Sequence, residues 1–369
     1  MPNYQQYSAY LFQKAGAAGV PLSGTFELTA RCNLDCRMCY IHRRANDAAA
    51  LRGEWSAGQW LELASRCRDA GTLLLLLTGG EPLLRPDFRE IYSGCKRLGL
   101  LLSINTNGTL LDAEMVRFLA ADPPGRVNIT LYGASPETYA ALCGDGAAYE
   151  RVVAGIDALC AAGVLVKLNY SITPQNLADG PAIYDFARAR GLAVQAASYM
   201  FPPVRACEFG PCTAERLTPE ASARAQLDYE RFLYPAAELR RRWELLLEGE
   251  RRPAPEECQE LPTERIRCRA GYSTFWVTWD GQLRPCGMMT EPSRPVTPET
   301  FAEAWQWLRA AREEIFLPAA CGSCAVRYAC DLCPALSYAE TGQFTGLPAY
   351  LCQRTRAYLN EVRHALEES

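Results

Sequence analysis

Histidine is almost missing from this 369-residue chain: there are two. Mixed Cys/His zinc sites therefore have few ligands to draw on. Long apolar runs are also missing. The longest leucine run, Leu73–Leu77, falls far short of the ~20 residues that cross a bilayer. Met1 to Val20 has no basic segment followed by an apolar stretch, so no signal peptide is read. Excess positive charge is absent too. A net charge of −4 argues against nucleic acid or an anionic membrane as the main partner. No internal repeat or low-complexity segment occurs beyond a βα alternation. What the chain does have is 17 cysteines. An odd count in a chain this long does not fit a secreted disulfide scaffold. The expected setting is a reducing cytoplasm, with grouped cysteines serving as metal ligands. The length suits two domains, or one barrel with an appendage.

From residue 24 to about 200, short apolar runs alternate with amphipathic stretches. Strands are expected at Gly24–Thr29, Leu73–Thr78, Leu100–Asn105, Val127–Leu131, Val164–Ser171 and Ala193–Ser198. Helices are expected at Ala57–Ala70, Pro86–Leu98, Asp112–Ala121, Ala148–Ala162 and Leu177–Arg190. Ser135-Pro136-Glu137 reads as a helix start. Gly71, Gly99, Gly163 and Gly191 read as helix ends. Nearly continuous apolar strands spaced by helices imply a parallel sheet covered by helices. Six units suggest an incomplete barrel, with a doubly wound open sheet as the alternative. After Pro202-Pro203 the pattern changes. One long helix is expected from Thr218-Pro219-Glu220 to about Glu248, followed by a charged linker, Gly249 to Pro262. A hairpin around Asp280-Gly281 comes next, then a helix near Pro298–Glu314. A cysteine-dense loop, Cys321–Pro334, and a last helix near Cys352–Glu367 complete the chain. The expected division is an N-terminal extension (1–23), a partial barrel (24–205), a helical linker (206–255) and a small α+β cysteine-rich domain (256–369).

The cysteines are unevenly placed. Cys67, Cys95, Cys143, Cys160, Cys207 and Cys212 are scattered and read as small core residues. Cys32, Cys36 and Cys39 form a tight group directly after the first strand. Active sites are built from loops at that end of a barrel. Three thiolates so spaced can wrap a cubane cluster and leave one iron open. A zinc site would need a fourth ligand, and His42 is the nearby candidate.

This group resembles the radical S-adenosylmethionine (SAM) enzymes, whose hallmark is C-x3-C-x2-C after the first strand of a partial (β/α)6 TIM-like barrel. Met38 stands where many relatives carry an aromatic residue. A second motif agrees: Thr78-Gly79-Gly80-Glu81-Pro82 ends the second strand. The resemblance implies that Gly79, Gly80, Glu81 and Pro82 bind the amino group of SAM. Physically, a glycine pair lets backbone approach a ligand closely, and carbonyls with one carboxylate suit an ammonium. By the same resemblance Tyr40, Asn107, Thr130 and Ser171 are candidate SAM contacts, with Asn169 close to the last. Leu131-Tyr132-Gly133 stands where many relatives show Asp-Gly.

The late cysteines resemble a SPASM domain, an auxiliary-cluster extension of many peptide-modifying radical SAM enzymes. The matching residues are Cys268 and Cys286 flanking Gly281, then Cys321-x2-Cys324-x5-Cys330, Cys333 and Cys352. The last part departs by one residue in the Cys330–Cys333 spacing. Paired C-x2-C motifs bind zinc in other folds. The resemblance implies two auxiliary [4Fe–4S] clusters, hence three in all. Cys321, Cys324, Cys330 and Cys352 would hold one. Cys268, Cys286 and Cys333 would hold the other, with Cys258 or an open iron at the fourth position.

The implied reaction is reductive cleavage of SAM to a 5′-deoxyadenosyl radical, which takes a hydrogen from substrate. The implied partners are a peptide substrate and an external electron donor of flavodoxin or ferredoxin type. The expected function is ribosomal-peptide maturation, by oxidation or cross-linking. Oxidation or decarboxylation of a small molecule, as in some cofactor and heme pathways, is the alternative. Sulfatase maturation is disfavoured, because Gly287 follows Cys286 where those enzymes carry aspartate. Only 23 residues precede Gly24, too few for a leader-binding domain of ~80–100 residues, so leader recognition is expected to need another protein or surface. A non-enzymatic zinc or iron–sulfur module is the remaining class.

Overall fold

The computed structural model describes residues 4–41, 43–202, 205, 215–249, 266 and 268–368. His42, Cys207, Cys212 and Cys258 lie outside the described residues.

Helix α1 (Tyr4–Ala17) precedes strand β1 (Ser23–Glu27), and the two-residue strands β2 (Arg31–Cys32) and β3 (Arg43–Arg44) pair with each other. Then α2 (Ala48–Gly53) and α3 (Ala57–Asp69) lead to β4 (Leu74–Thr78). The alternation continues with α4 (Phe88–Arg97), β5 (Leu101–Thr106), α5 (Ala113–Ala121) and β6 (Arg126–Thr130). Next come α6 (Pro136–Cys143), α7 (Ala148–Ala161), β7 (Val166–Ser171), α8 (Gly180–Ala189) and β8 (Ala193–Ala197).

The local signals explain these boundaries. Ser56 and Gln59 form a reciprocal capping box on α3. Ser135 caps α6 with Pro136 at the first position. Gly71, Gly99, Gly163 and Gly191 turn the chain out of helices at positive φ.

β1, β4, β5, β6, β7 and β8 pair in parallel in chain order, with no reversal. A doubly wound sheet reverses strand order at a switch point. The observed order is the winding of a barrel, so the alternative reading falls. Alternate residues divide between two faces. Phe26, Leu75, Leu77, Leu102, Ile104, Val127, Ile129 and Leu168 lie beneath the helices in the main core. The opposite, lumen face carries Thr25, Glu27, Ser103, Asn105, Asn128, Thr130, Lys167, Asn169 and Ser171.

The expected long helix is two: α9 (Pro219–Leu233) and α10 (Ala236–Glu248). Pro235 cannot donate an amide hydrogen, and Tyr234 before it is extended, as a residue preceding proline prefers. The expected helix over Leu177–Arg190 opens as a 3₁₀ turn, Leu177–Asp179, before α8.

The hairpin β9 (Thr274–Val277) and β10 (Gln282–Arg284) turns at Asp280-Gly281, with Gly281 at φ 75°. Its strand β9 pairs in parallel with β1, so the hairpin and β11 (Arg294–Pro295) extend the barrel sheet to nine strands. α11 (Phe301–Glu313), α12 (Pro334–Thr341) and α13 (Ala349–Glu367) follow. α1 docks on this region: Trp305 Nε1 donates to Gly19 O at 2.7 Å, and the Arg269 guanidinium lies over Phe12. Arg354 of α13 donates to Ser222 of α9 and to Ser198 beyond β8. The late cysteines are thus anchored at both ends of the sheet.

Candidate functional site

The first cysteine loop leaves β1 at the carboxyl end of the sheet. Backbone bonds strap it to the end of α6: Asp35 N–H donates to Cys143 O and Arg37 N–H to Leu142 O, both at 3.0 Å. Cys36 is buried, while Cys32 and Cys39 are half-buried. Cys32 Sγ accepts from Leu34 N–H at 3.4 Å and from Asn107 Nδ2 at 3.5 Å. Cys36 has two neighbours that sequence did not announce: its thiol is hydrogen-bonded with Cys143 and with Tyr132. The Cys143 bond and burial push the Cys36 thiol well up; burial and the Glu81 charge do the same for Cys32. Thiols held this way keep their protons until a cation takes their place.

A soft three-sulfur donor set with N–H groups aimed at Cys32 suits an iron–sulfur cluster. Among the described residues, no three Cys, His, Asp or Glu side chains gather as ligands of a single metal ion do. A cubane needs no such convergence, because its cysteines bind separate irons.

The Gly-Gly-Glu-Pro segment joins this loop directly. Gly80 N–H donates to Thr29 O at 2.7 Å and Glu81 N–H to Arg31 O at 2.9 Å. A Cβ on Gly79 would stand 2.5 Å from Thr29 O, and one on Gly80 2.4 Å from Arg31 O. The glycine pair thus brings backbone onto the cysteine-loop backbone. Glu81 is wholly buried. Its carboxylate accepts from Leu83 N–H at 2.9 Å, Thr106 Oγ1 at 2.8 Å and Asn107 N–H at 2.7 Å. Burial pushes its pKa up to about 7 against the pull of those donors. Glu81 therefore ties β4 to β5.

Glu81→Gln puts an amide nitrogen opposite one of these donors and leaves it unsatisfied. The expected cost is about 1–3 kcal/mol, read as a lower urea midpoint; an unchanged midpoint would contradict this wiring. The raised pKa has its own signature. The carboxyl's stabilising contribution is full below pH 4.5 and is lost as pH rises through about 7. Glutamine should remove that part of the pH dependence.

Asn107 extends the network. Its Nδ2 also donates to Asn33 Oδ1 at 3.0 Å, and its Oδ1 accepts from Thr109 N–H and Oγ1. Thr130 and Ser171 stand at the strand ends on the lumen face. Asn169, in register with Thr130, has a buried Oδ1 without a hydrogen-bond partner among the described residues. That is an acceptor suited to a hydroxyl or ammonium ligand such as SAM carries. Tyr40 lies beneath the Arg205 guanidinium, 5.4 Å from the ring centroid. Sequence reasoning missed Arg205 and its partner Glu27. The one signal available was a glutamate between the apolar Phe26 and Leu28 at the end of the first strand.

The late cysteines fall into two neighbourhoods. Burial pushes Cys286 up to about 11, and Cys333 and Cys268 add to that rise. Met288 N–H donates to Cys286 Sγ at 3.3 Å. Burial likewise raises Cys321 to about 11, with Cys352, Cys330 and Cys324 adding their charge. Cys333 sits at the N-cap of α12; burial raises its thiol, against the pull of the Leu336 and Ala335 N–H groups. Gly287 packs against Trp276; a Cβ there would lie 2.9 Å from the indole.

Residues 26–187 match the sequence model of the radical SAM superfamily. An AdoMet-dependent heme synthase of Methanosarcina barkeri is 28% identical over 89% of this chain and 95% of its own length. An Fe-coproporphyrin III synthase of the same organism is 32% identical over 43% of this chain and 39% of its own. In structure, Streptococcus suis SuiB bound to its precursor peptide SuiA superposes with a TM-score of 0.67, at 18% identity, over 96% of this chain and 82% of that one.

Proposed function

Since residues 26–187 are a radical SAM domain, we propose that this chain holds the SAM-binding cluster on Cys32, Cys36 and Cys39 and oxidises a substrate in the barrel lumen. The observation that carries this reading is the joining of the cysteine loop to Gly80 and Glu81 by direct backbone bonds. When bound, the cluster and SAM would supply one-electron chemistry, a 5′-deoxyadenosyl radical that takes a hydrogen atom from substrate.

The protein's own work is positioning. Gly79 and Gly80 hold the cysteine loop against β4. Asn107 orients Cys32, and Tyr132 orients Cys36. Thr130, Asn169, Ser171 and Tyr40 line the space where SAM would lie, and the buried Asn169 oxygen offers it an acceptor. Two auxiliary clusters, on Cys268, Cys286 and Cys333 and on Cys321, Cys324, Cys330 and Cys352, would receive the electron that substrate oxidation releases. The grouping of these thiols supports that division. Residues 256–369 would then be the auxiliary-cluster domain, working in the cytoplasm with an external donor such as a flavodoxin or ferredoxin. No described helix is long and apolar enough to cross a membrane.

For the substrate, the extent of likeness favours a small molecule of the kind handled by heme synthases, because that match spans nearly both chains. A peptide substrate is the second reading, favoured by the shared fold of a peptide-bound relative. An anaerobic assay with SAM and dithionite separates them. Iron coproporphyrin III is expected to raise 5′-deoxyadenosine formation and to yield a porphyrin of altered mass. If it does neither, the small-molecule reading is wrong; stimulation by a short precursor-type peptide instead would support the second.

A further inference from the structure

The lumen face near β1 carries a group of side chains that the cluster chemistry leaves unused. Arg284 on β10 stands opposite Trp276 on β9, and Trp276 pairs in register with Thr25, two residues before Glu27. The pleat therefore puts Glu27, Trp276 and Arg284 on one face. Arg205 arrives from beyond β8, the far edge of the sheet. Its Nη1 donates to both Glu27 oxygens, at 2.6 and 2.8 Å, and its Nη2 to Gly287 O at 3.2 Å.

The hydrogen bonding is incomplete. Among the described residues, Arg205 Nε and Arg284 Nη1 are buried and have no partner. Among the described residues Arg284 is held through Nε, to Ser293 Oγ at 3.1 Å. Burial and the like charge of Arg205 both disfavour its cation, while Asp280, Glu27 and Glu291 support it. Glu27 is already engaged by Arg205 and by Trp276 Nε1 at 3.0 Å. Asp280 accepts from Thr278 Oγ1 at 2.5 Å. Each of the two guanidiniums thus keeps a donor idle. Buried idle donors are costly and rare.

The place of this pair matters as much as its charge. Tyr40 directly follows Cys39, and Cys286 lies two residues beyond Arg284. The pair therefore sits between the loop proposed to generate the radical and the cysteines proposed to take up the electron. Tyr40 and Trp276 add aromatic surface around it.

We propose that Arg205 and Arg284 seat a carboxylate of the substrate. A carboxylate matches the planar fork of a guanidinium and supplies the acceptors that the two idle donors lack. This rests on the proposed function and narrows it to acidic substrates. Two sources of the group are open, a small-molecule propionate and a peptide carboxylate, and the test has an arm for each.

The test is anaerobic titration of the cluster-loaded chain, read by quenching of tryptophan fluorescence. One arm pairs iron coproporphyrin III with its methyl ester. The other pairs a glutamate-bearing peptide with its glutamine counterpart. In at least one arm the acid is expected to bind about tenfold or more tighter than its neutral partner. Arg284→Gln should weaken that acid by about ten- to a hundredfold and leave the neutral partner unchanged. Arg284→Lys, which keeps a positive charge, should fall between. Equal binding of acid and neutral probes in both arms would overturn the proposal. So would unchanged acid binding by Arg284→Gln with its cluster absorbance intact. Formation of 5′-deoxyadenosine without substrate reports on the proposed function separately, so either idea can fail while the other stands.

Discussion

Glu54→Ala is expected to destabilise the chain by about 3–5 kcal/mol, the usual penalty for breaking a buried charge network. The Glu54 carboxylate is 7% exposed and precedes α3. It accepts from Arg31 Nε at 2.7 Å, from Arg31 Nη2 at 3.0 Å and from Arg85 Nη1 at 3.5 Å, and the Thr29 hydroxyl also donates to it. Both arginines are buried. Arg31 has one further acceptor, Ala45 O, while Arg85 donates to Leu28 O, Trp55 O and the more exposed Asp87. Without Glu54, Arg31 would be a buried cation stripped of its one ion-pair partner among the described residues. It directly precedes Cys32, so the damage falls on the cysteine loop. The expected readouts are a lower urea midpoint and reduced iron per chain after anaerobic reconstitution. Glu54→Gln keeps an acceptor and should lose less. A Glu54→Ala chain with parental midpoint and iron content would refute this role.

Gly80→Ala is expected to cost about 3 kcal/mol, the upper end of ordinary overpacking. The new methyl would meet Arg31 O at 2.4 Å and Ala30 O at 2.6 Å. Those are backbone atoms, so no side-chain rotation relieves the contact. The strain would also stretch the bonds from Gly80 to Thr29 and from Glu81 to Arg31. Iron loading should therefore fall with stability. Gly99→Ala is the useful contrast, because nothing lies within 4 Å of a Cβ there. Its penalty comes only from the positive φ of 83°, and its iron content should stay parental. Equal iron loss in the two variants would contradict the account.

The six core strands were legible because each carries apolar residues on its helix-covered face, and local helix signals separate most of them. The break at Pro235 was in plain view, but a Leu-, Arg- and Glu-rich pattern continues across it. α1 was missed because its packing partners, Tyr272, Trp305 and Arg269, lie some 250 to 290 residues away. The pairing of β9 with β1 has the same long-range character. Within the site, the cysteine spacings and the Gly-Gly-Glu-Pro segment carry their meaning in sequence. Cys143, Arg205 and Arg284 do not: each is a single residue whose role exists only where distant strands and loops meet. The glycine pair is read as letting backbone approach a ligand, and the fold adds a close approach to Thr29 and Arg31. Sequence marks such a need for space without naming the neighbour.

The most direct test is 5′-deoxyadenosine formation by the anaerobically reconstituted chain with SAM and dithionite, alongside Cys36→Ala. The account predicts formation by the parent and none by the variant. A parent that forms none, or a Cys36→Ala chain that forms as much as the parent, would contradict it.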